Sequence, residues 1–287
     1  MHAHPLPSTA LPTAAEAPLR DTWPQRMRRA SPALYWSGVA LLLLSLPTAL
    51  LAQLDTRLLH GVSVWLKPWK FQVSVGVYLL TLCLFMAGLP ASDQRGRWAR
   101  VLVGTAVACG LFEVAYISWQ GLLGQASHFN FSSAFHRTMY TLMGAGAVLL
   151  TTSSLVLAVL IARAPDYGSA PALRLGIVLG LVLTWILGLG FGAYMGGQAT
   201  GHWVGGAATD AGGLPVVQWS RTAGDLRVPH FFGIHAMHFV PFFAWLVGMA
   251  RLPGGVGKLL VWAGAAAFAV LTVATFVQAR AGLPFMA

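Results

Sequence analysis

Seven long apolar stretches, separated by shorter polar segments, dominate the pattern of residues along the chain. A helix that crosses the hydrocarbon layer needs roughly 20 mainly apolar residues, and each stretch is close to that length. The fourth stretch has no charged residue between Met139 and Ala162. We therefore predict an all-α, polytopic membrane helical bundle with transmembrane helices at about 33–53, 69–89, 101–122, 138–162, 174–196, 232–250 and 259–279.

The same pattern separates a short N-terminal segment from the membrane domain. Residues 1–31 contain five prolines and end with Arg26, Arg28 and Arg29 just before the first apolar stretch. A segment of this composition has too little apolar surface to form a core. We predict a disordered basic cytoplasmic tail over 1–31 and a seven-span membrane domain over 32–287. The first apolar stretch begins too late and is too long for a cleavable signal peptide.

Composition supports a membrane protein and argues against a nucleic-acid partner. Hydrophobic residues make up 56% of the chain and charged residues 9%, whereas about 25% of a soluble domain is charged. The formal net charge is +10, but no basic stretch is interleaved with aromatic residues as in a nucleic-acid groove. The partner that we expect is the lipid bilayer, with no nucleic acid.

The basic residues predict an orientation, because loops rich in lysine and arginine tend to stay in the cytoplasm. A cytoplasmic N-terminus puts eleven basic residues inside and seven outside. The inner set is Arg20, Arg26, Arg28, Arg29, Arg95, Arg97, Arg100, Arg163, Arg174, Arg251 and Lys258; the outer set is Arg57, Lys67, Lys70, Arg137, Arg221, Arg227 and Arg280. We expect an integral protein of a bacterial-type plasma membrane, with the N-terminus cytoplasmic and the C-terminus extracytoplasmic.

Several kinds of chemistry are excluded by missing motifs. Cys83 and Cys109 lie inside predicted spans and belong to no CxxC or CxxCH motif, which excludes covalent c-type haem attachment. The chain has no Walker loop, no dinucleotide-binding glycine motif and no GxSxG motif. Nucleotide-driven chemistry is therefore not expected.

Small residues recur every four positions in the fifth predicted span: Gly176, Gly180, Thr184, Gly188, Gly192 and Gly196. This spacing places them on one helix face, where a neighbouring helix can approach closely. Three interpretations remain open for this Gly176–Gly196 seam. It packs within the chain, it forms a homodimer or binds a partner helix, or it is a sliding surface of a transporter.

The seven histidines beyond residue 31 are predicted at or near the extracytoplasmic side. A long outer loop at about 197–231 carries glycine pairs and would have to pack on the bundle as a lid, because irregular backbone at this depth needs a protein or water partner. Imidazole is the commonest protein metal ligand. We predict as metal ligands His128, His202, His230, His235 and His238. The cofactor would be zinc, copper or iron, or haem b.

One acid and one phenol are predicted at a similar depth to His235 and His238. Glu113 lies thirteen residues past Arg100, or roughly 20 Å along a helix, which places it in the outer leaflet. Tyr116 and Gln120 share its helix face. Tyr78 lies about 12 Å below Lys70. Because an ionisable residue inside the membrane is usually functional, we predict Glu113 and Tyr78 as catalytic residues of one shared site.

Four basic residues are predicted to bind the acidic groups of a cofactor, such as haem propionates or a phosphate: Lys70, Arg137, Arg221 and Arg227. The alternative is that they extend to the interface beside a belt of tryptophans. A further alternative pairs Arg221 with Asp225 or Asp210.

These features allow three functions. The first is a metal- or haem-dependent membrane oxidoreductase or hydrolase acting on a lipid-soluble or periplasmic substrate at an extracytoplasmic site. The second is a transporter or channel that uses Glu113 and histidines to bind a proton or solute. The third is a non-catalytic assembly or sensor subunit. The sequence alone does not decide among them.

Overall fold

The fold is taken from a computed structural model, which describes residues 21–287 of the chain. Within this range seven helices are long and apolar enough to cross a membrane. They confirm the predicted all-α bundle, and each lies within a few residues of a predicted span. The spans are α2 (Pro32–Leu54), α3 (Leu66–Met86), α5 (Arg97–Leu122), α6 (Ala134–Arg163), the α7–α8 segment (Pro171–Gly196), α9 (Arg227–Met249) and α10 (Gly254–Arg280).

Local sequence signals explain where several spans begin and end. Ser31 caps α2 by accepting a hydrogen bond from the Leu34 amide, and Ser133 caps α6 in the same way through His136. A serine oxygen in this position satisfies one of the backbone amides that the first helical turn leaves free. After the end of α5, Gly124 adopts a left-handed conformation with φ of +67°, which a residue without Cβ adopts without strain.

Two short helices lie outside the spans. Helix α1 (Trp23–Ala30) forms within the segment that we expected to be disordered, and α4 (Ala91–Gln94) joins α3 to α5. The tail prediction therefore missed α1, which Thr22 and Gln25 begin with a capping box. The rest of the predicted tail, residues 1–20, lies outside the described residues.

The two ends of the bundle differ in their connections. We call the end formed by residues 55–65, 123–133 and 197–226 the loop end, and the opposite end, formed by α1 and residues 87–96 and 164–170, the arginine end. Spans α3 and α9 run from the loop end to the arginine end, and α5 runs the opposite way. Neighbouring spans pack in the order α2, α3, α5, α6, α7, with α9 against α7 and α10 against both.

The main apolar core lies toward the arginine end. It combines Leu79, Leu82 and Met86 of α3 with residues of α2, α5, α6 and α7, and these three side chains are almost completely buried. Large apolar residues on the outward faces of the spans are exposed, as expected for surfaces that contact lipid. The core therefore closes the bundle at the arginine end.

The glycine seam packs against α9 of the same chain. The fifth span consists of α7 (Pro171–Leu183), a π-helical turn (Thr184–Gly188) and α8 (Leu189–Gly196). A Cβ atom on Gly176 would lie 2.3 Å from Ala244, and one on Gly180 would lie 2.8 Å from the Ala236 carbonyl oxygen. The interpretation of the seam as intramolecular packing is therefore confirmed. A homodimer or partner helix on this face is not compatible with the structure, because α9 occupies it.

Helix α9 remains continuous through Pro241, although proline lacks the amide that a helix interior requires. Thr184 supports this region, because its hydroxyl donates to the Ile234 carbonyl at 3.0 Å and accepts from the Met237 amide at 2.9 Å. Thr184 of the π-helical turn thus contacts the backbone of α9 in the turns just before Pro241.

The long loop at the loop end folds onto the bundle, as predicted for a lid, but it ends earlier. Helix α9 begins at Arg227, so the loop covers residues 197–226 and not 197–231. In the shorter connection 55–65, strand β1 (Leu58–Leu59) pairs antiparallel with β2 (Val62–Ser63). Within the long loop, β3 (Trp203–Val204) pairs antiparallel with β4 (Gly224–Asp225). The loop is attached to α3 where Lys70 donates to the Val217 carbonyl at 3.1 Å.

Candidate functional site

A cluster of polar side chains lies between α3 and α5 inside the membrane-spanning part of the bundle. It consists of Gln72 from α3 and Glu113, Tyr116 and Gln120 from α5, and we call it the Glu113 cluster. The three α5 residues lie on one face because they are spaced by three and four positions. Gln72 joins them across the interface, where its amide donates to Ser118 at 3.4 Å.

The Glu113 cluster is deeply buried and its hydrogen bonding is incomplete. The exposed fractions are 2% for Gln72, 4% for Glu113, 4% for Tyr116 and 1% for Gln120. Five of their side-chain atoms have no hydrogen-bond partner among residues 21–287: Gln72 Oε1, Glu113 Oε1, Tyr116 Oη, Gln120 Nε2 and Gln120 Oε1. A buried polar atom without a partner costs about 1 to 3 kcal/mol. A group of such atoms in one place therefore indicates a bound species.

Close helix contacts leave little space around the cluster. A Cβ atom on Gly146 of α6 would lie 3.0 Å from Glu113 Oε1, and one on Gly121 would lie 2.7 Å from the Pro68 ring. The Glu113 carboxyl thus lies against the bare backbone of α6. A site this tight suits protons and single water molecules better than a larger solute.

Lys67 and His128 cover the cluster on the side of the loop end. Lys67 Nζ lies 3.1 Å from His128 Nδ1, and the Ser127 hydroxyl lies 3.1 Å from the same nitrogen. Burial, with the Lys67 charge, holds the pKa of His128 well below its usual value. The ring is therefore neutral at pH 7, and its Nδ1 accepts the hydrogen bond from the Lys67 ammonium.

Tyr78 does not take part in the Glu113 cluster. Its hydroxyl donates to the Leu150 carbonyl of α6 at 2.9 Å and lies 3.2 Å from the Ser153 hydroxyl. Ser154 continues this polar contact by donating to the Leu181 carbonyl of α7 at 3.2 Å. The hydroxyl of Tyr78 thus links α3 to α6, and its contacts do not support the catalytic role that we predicted.

His235 and His238 form a pair on α9, with their Nδ1 atoms 3.1 Å apart. His238 also reaches α3, where its Nε2 lies 3.0 Å from the Thr81 hydroxyl. The shared face predicted for the two rings is confirmed.

The predicted common depth of this pair and Glu113 is wrong. Val75 of α3 contacts Gly110 of α5, so these two residues lie at about the same height in the bundle. Thr81, which contacts His238, lies six residues from Val75 toward the arginine end. Glu113 lies three residues from Gly110 toward the loop end. At 1.5 Å per residue, His238 and Glu113 are separated by about 13 Å along the bundle. Helix periodicity predicts the position of each residue in its own helix, but not the relative heights of the helices.

His202 belongs to a charged network within the loop 197–226. Its Nε2 lies 3.2 Å from Asp210, and Arg227 pairs with Asp210 at 2.8 Å and with Asp225 at 2.7 Å. Burial lowers the pKa of His202, although the bond to Asp210 opposes this shift. Burial would raise the pKa of Asp210, but the hydrogen bond from His202 and the Arg227 charge outweigh it and lower this pKa. The network holds the loop on the first turn of α9.

The five predicted metal ligands do not meet at one centre. His230 lies on α9 and not in the loop, with its Nδ1 3.0 Å from the Gly188 carbonyl oxygen, so the ring packs against the π-helical turn. In the part of the chain that the structure describes, no group of three or more His, Cys, Asp or Glu side chains is arranged to hold a metal ion. The predicted convergence of the histidines and Glu113 on one metal or haem centre is therefore not supported.

The four predicted cofactor-binding cations are also separated. Lys70 and Arg227 lie near each other beside the loop 197–226. Arg137, in contrast, is exposed and donates to the Phe131 carbonyl at 3.0 Å. Arg221 is exposed. The suggested pairing of Arg221 with Asp225 or Asp210 is wrong, because Arg227 forms both ion pairs.

Two contributors to these sites were missed in the sequence. Gln72 and Thr81 are single polar residues in the apolar α3 span, and only their unusual polarity at that depth could have indicated a role. The partner of each lies on a distant part of the chain, 46 residues away for Gln72 and 157 for Thr81.

Comparison with protein-family models, with curated proteins and with solved structures gives no match for this chain.

Proposed function

We propose that this chain is a membrane transport protein that moves protons, with Glu113 as the group that takes up and releases them. The observation that carries the proposal is the set of five open hydrogen-bonding atoms in the Glu113 cluster, as counted among residues 21–287. Ionisable residues inside a membrane commonly mark ion pathways and proton relays, since burying such groups is costly without a role.

The surroundings of Glu113 support a proton over a metal ion or a larger solute. The nearby groups are amide, hydroxyl and basic side chains, and the closest histidine, His128, already accepts from Lys67. The close approach of Gly146 and Gly121 to their neighbours leaves little volume for an organic solute. Hydroxyls and water accept and donate a hydrogen bond through the same oxygen atom, which is the property that a proton pathway needs, and the Gln72 and Gln120 amides can hold water molecules in place.

Protons would reach the Glu113 cluster from the loop end. Lys67 and His128 lie between this cluster and the loop end, whereas Tyr78 and the apolar core around Leu79 and Leu82 lie toward the arginine end. Release at the arginine end would therefore need a rearrangement of the spans. The excess of arginine at that end supports a cytoplasmic location for it, so uptake would occur on the extracytoplasmic side.

The other two functions have less support. A metal-dependent oxidoreductase or hydrolase would need several ligands that converge, and residues 21–287 bring no three His, Cys, Asp or Glu side chains together. Haem needs only one or two axial ligands, but the histidine pair His235 and His238 is joined by a hydrogen bond between its own Nδ1 atoms. A partner-docking subunit was suggested by the glycine seam, which α9 of the same chain fills.

Proton flux into liposomes tests the proposal. Purified protein is reconstituted with a pH-sensitive dye inside, and a potassium diffusion potential set with valinomycin drives protons inward. We expect the wild type to acidify the interior faster than protein-free liposomes. Glu113→Gln keeps the size of the side chain but removes its exchangeable carboxyl proton, and should reduce the rate to that of protein-free liposomes.

A matched control is Asp93→Asn, which makes the same chemical change at the arginine end, in α4. It should keep the wild-type rate. The proposal is wrong if the wild type is no faster than protein-free liposomes, or if Glu113→Gln moves protons as fast as the wild type.

A further inference from the structure

A second polar feature lies between α3 and α9, away from the Glu113 cluster. It is a relay of hydrogen bonds that runs from the Val77 carbonyl through Thr81 and His238 to His235. The contacts measure 2.8 Å from Thr81 Oγ1 to the Val77 oxygen, 3.0 Å from Thr81 Oγ1 to His238 Nε2, and 3.1 Å between the two Nδ1 atoms. Each of these contacts requires one hydrogen between its two atoms.

The direction of the relay follows from its first contact. A carbonyl oxygen has no hydrogen, so the Thr81 hydroxyl must donate to Val77. Thr81 has only this one hydrogen, and it therefore accepts from His238 Nε2. For a pair of neutral rings, His238 Nδ1 is then the acceptor, and His235 Nδ1 carries the hydrogen between them.

This direction leaves a free lone pair on His235 Nε2. In the described part of the chain, the hydrogen bond of the His235 ring is made by Nδ1. The Phe231 ring packs beside the imidazole with its centre 4.0 Å away, and the side chain of His235 is half-buried. A strong acceptor is thus held in one orientation, with part of its surface uncovered.

The uncovered surface lies within the membrane-spanning part of the bundle. Both α3 and α9 run from the loop end to the arginine end. Ser74, two turns before Thr81 on the same face of α3, therefore lies toward the loop end, and it is exposed. Phe239, one turn after His235, is 45% exposed. Because water does not reach the hydrocarbon layer freely, a partner for His235 has to come from molecules dissolved in the lipid.

We propose that the surface of α9 around His235, beside Thr81 of α3, binds a lipid-soluble molecule that carries a hydroxyl group, and that His235 Nε2 accepts the hydrogen bond from this hydroxyl. The apolar part of the molecule would lie against Phe231 and Phe239. Thr81 and His238 act as positioning residues, since they fix which nitrogen of His235 carries its hydrogen. This site is separate from the proposed proton function and does not depend on it.

The first test is the tautomer of each ring in the protein without added ligand. Nitrogen-15 NMR of histidine-labelled protein in lipid nanodiscs distinguishes a ring nitrogen with hydrogen from one without. We expect hydrogen on Nδ1 of His235 and on Nε2 of His238. A spectrum with hydrogen on Nε2 of His235 would overturn the proposal, and this measurement needs no variant.

The second test compares 1-decanol with decyl methyl ether, which matches it in apolar length but has no hydroxyl hydrogen. Titration of the nanodiscs with decanol should shift the Nε2 signal of His235, with an affinity about three- to tenfold higher than that of the ether, as expected for one neutral hydrogen bond. Equal effects of the two probes, or no shift with decanol, would contradict a hydroxyl-binding site.

Thr81→Val provides a matched variant, because valine keeps the shape of threonine and lacks the hydroxyl that orients His238. We expect the preference for decanol over the ether to fall toward onefold in this variant. His230 serves as an internal control, since its ring is held separately by the Gly188 carbonyl and its signals should not respond to either probe. A preference unchanged by Thr81→Val would show that the relay does not position His235.

Discussion

Individual residues in this protein owe their chemistry to one or two close neighbours. His128 is neutral because it is buried beside Lys67, and His202 is neutral because burial outweighs its bond to Asp210. In contrast, the Oε1 atom of Glu113 has no hydrogen-bond partner among residues 21–287. Titratable residues thus serve structure in one place and are available for function in another.

The pKa of His202 predicts a pH dependence for the loop 197–226. The folded pKa is lower than the usual value of 6.5, so the released loop binds more protons than the folded loop at a pH just below 6.5. The contribution of His202 to the stability of the loop is fully present above about pH 6.5. It is lost as the pH falls through the lower pKa that His202 has in the folded loop. Asp210 has a lowered pKa as well, but its contribution is lost only below the usual carboxyl range.

Hydrogen exchange measures this effect. We expect the amides of 203–225 to lose protection between pH 7.5 and pH 5.5, after correction for the intrinsic exchange rate. His202→Gln should remove most of this difference, while Asp225 and Arg227 keep their ion pair. Protection that does not change with pH in the wild type would contradict the assignment.

At the scale of elements, the contact between α7 and α9 is the tightest helix pairing, and small residues make it possible. A Cβ atom on Gly180 would lie 2.8 Å from both the Ala236 carbonyl oxygen and the Pro241 ring. Neither of these neighbours can move easily, because one is backbone and the other is a fixed ring. Tight packing therefore depends on glycine at this position.

Gly180→Ala should destabilise the protein by about 1 to 3 kcal/mol, the usual cost of overpacking. Gly190→Ala, about three turns further along the same span, is the control because nothing lies within 4 Å of its added Cβ atom. This control should be neutral or stabilising by up to about 1 kcal/mol, since alanine favours helix over glycine. Thermal unfolding in nanodiscs, followed by tryptophan fluorescence, compares the two. Equal midpoints would show that α9 can yield at Gly180.

For the whole molecule, the orientation in the membrane remains a prediction from the distribution of arginine and lysine. It determines from which side protons and ligands would reach the loop end. Two exposed positions at opposite ends of the bundle, Ser92 and Thr222, allow a direct measurement.

Single cysteines at these positions are treated with a membrane-impermeant maleimide in intact cells. We expect Thr222→Cys to be labelled in intact cells and Ser92→Cys only after the membrane is permeabilised. The wild type gives the background from Cys83 and Cys109, which lie inside spans. The reverse pattern of labelling would invert the orientation and the direction of proton uptake.

The seven spans and the polar residues inside them can be inferred from the amino-acid sequence alone. Span length follows from the thickness of the hydrocarbon layer, and a helix satisfies its own backbone hydrogen bonds, so both can be inferred without knowledge of neighbouring segments. The face shared by Glu113, Tyr116 and Gln120, and the face shared by His235 and His238, follow from helix periodicity alone.

Only the tertiary structure decided which of these side chains meet. The rotation and relative height of the spans depend on close contacts such as Gly121 with Pro68 and Gly180 with Pro241, and hydropathy carries no information on either. Lys67 therefore meets His128, 61 positions away, and Thr81 meets His238, 157 positions away. For the same reason the histidines, which are close in predicted depth, belong to separate sites in the folded protein.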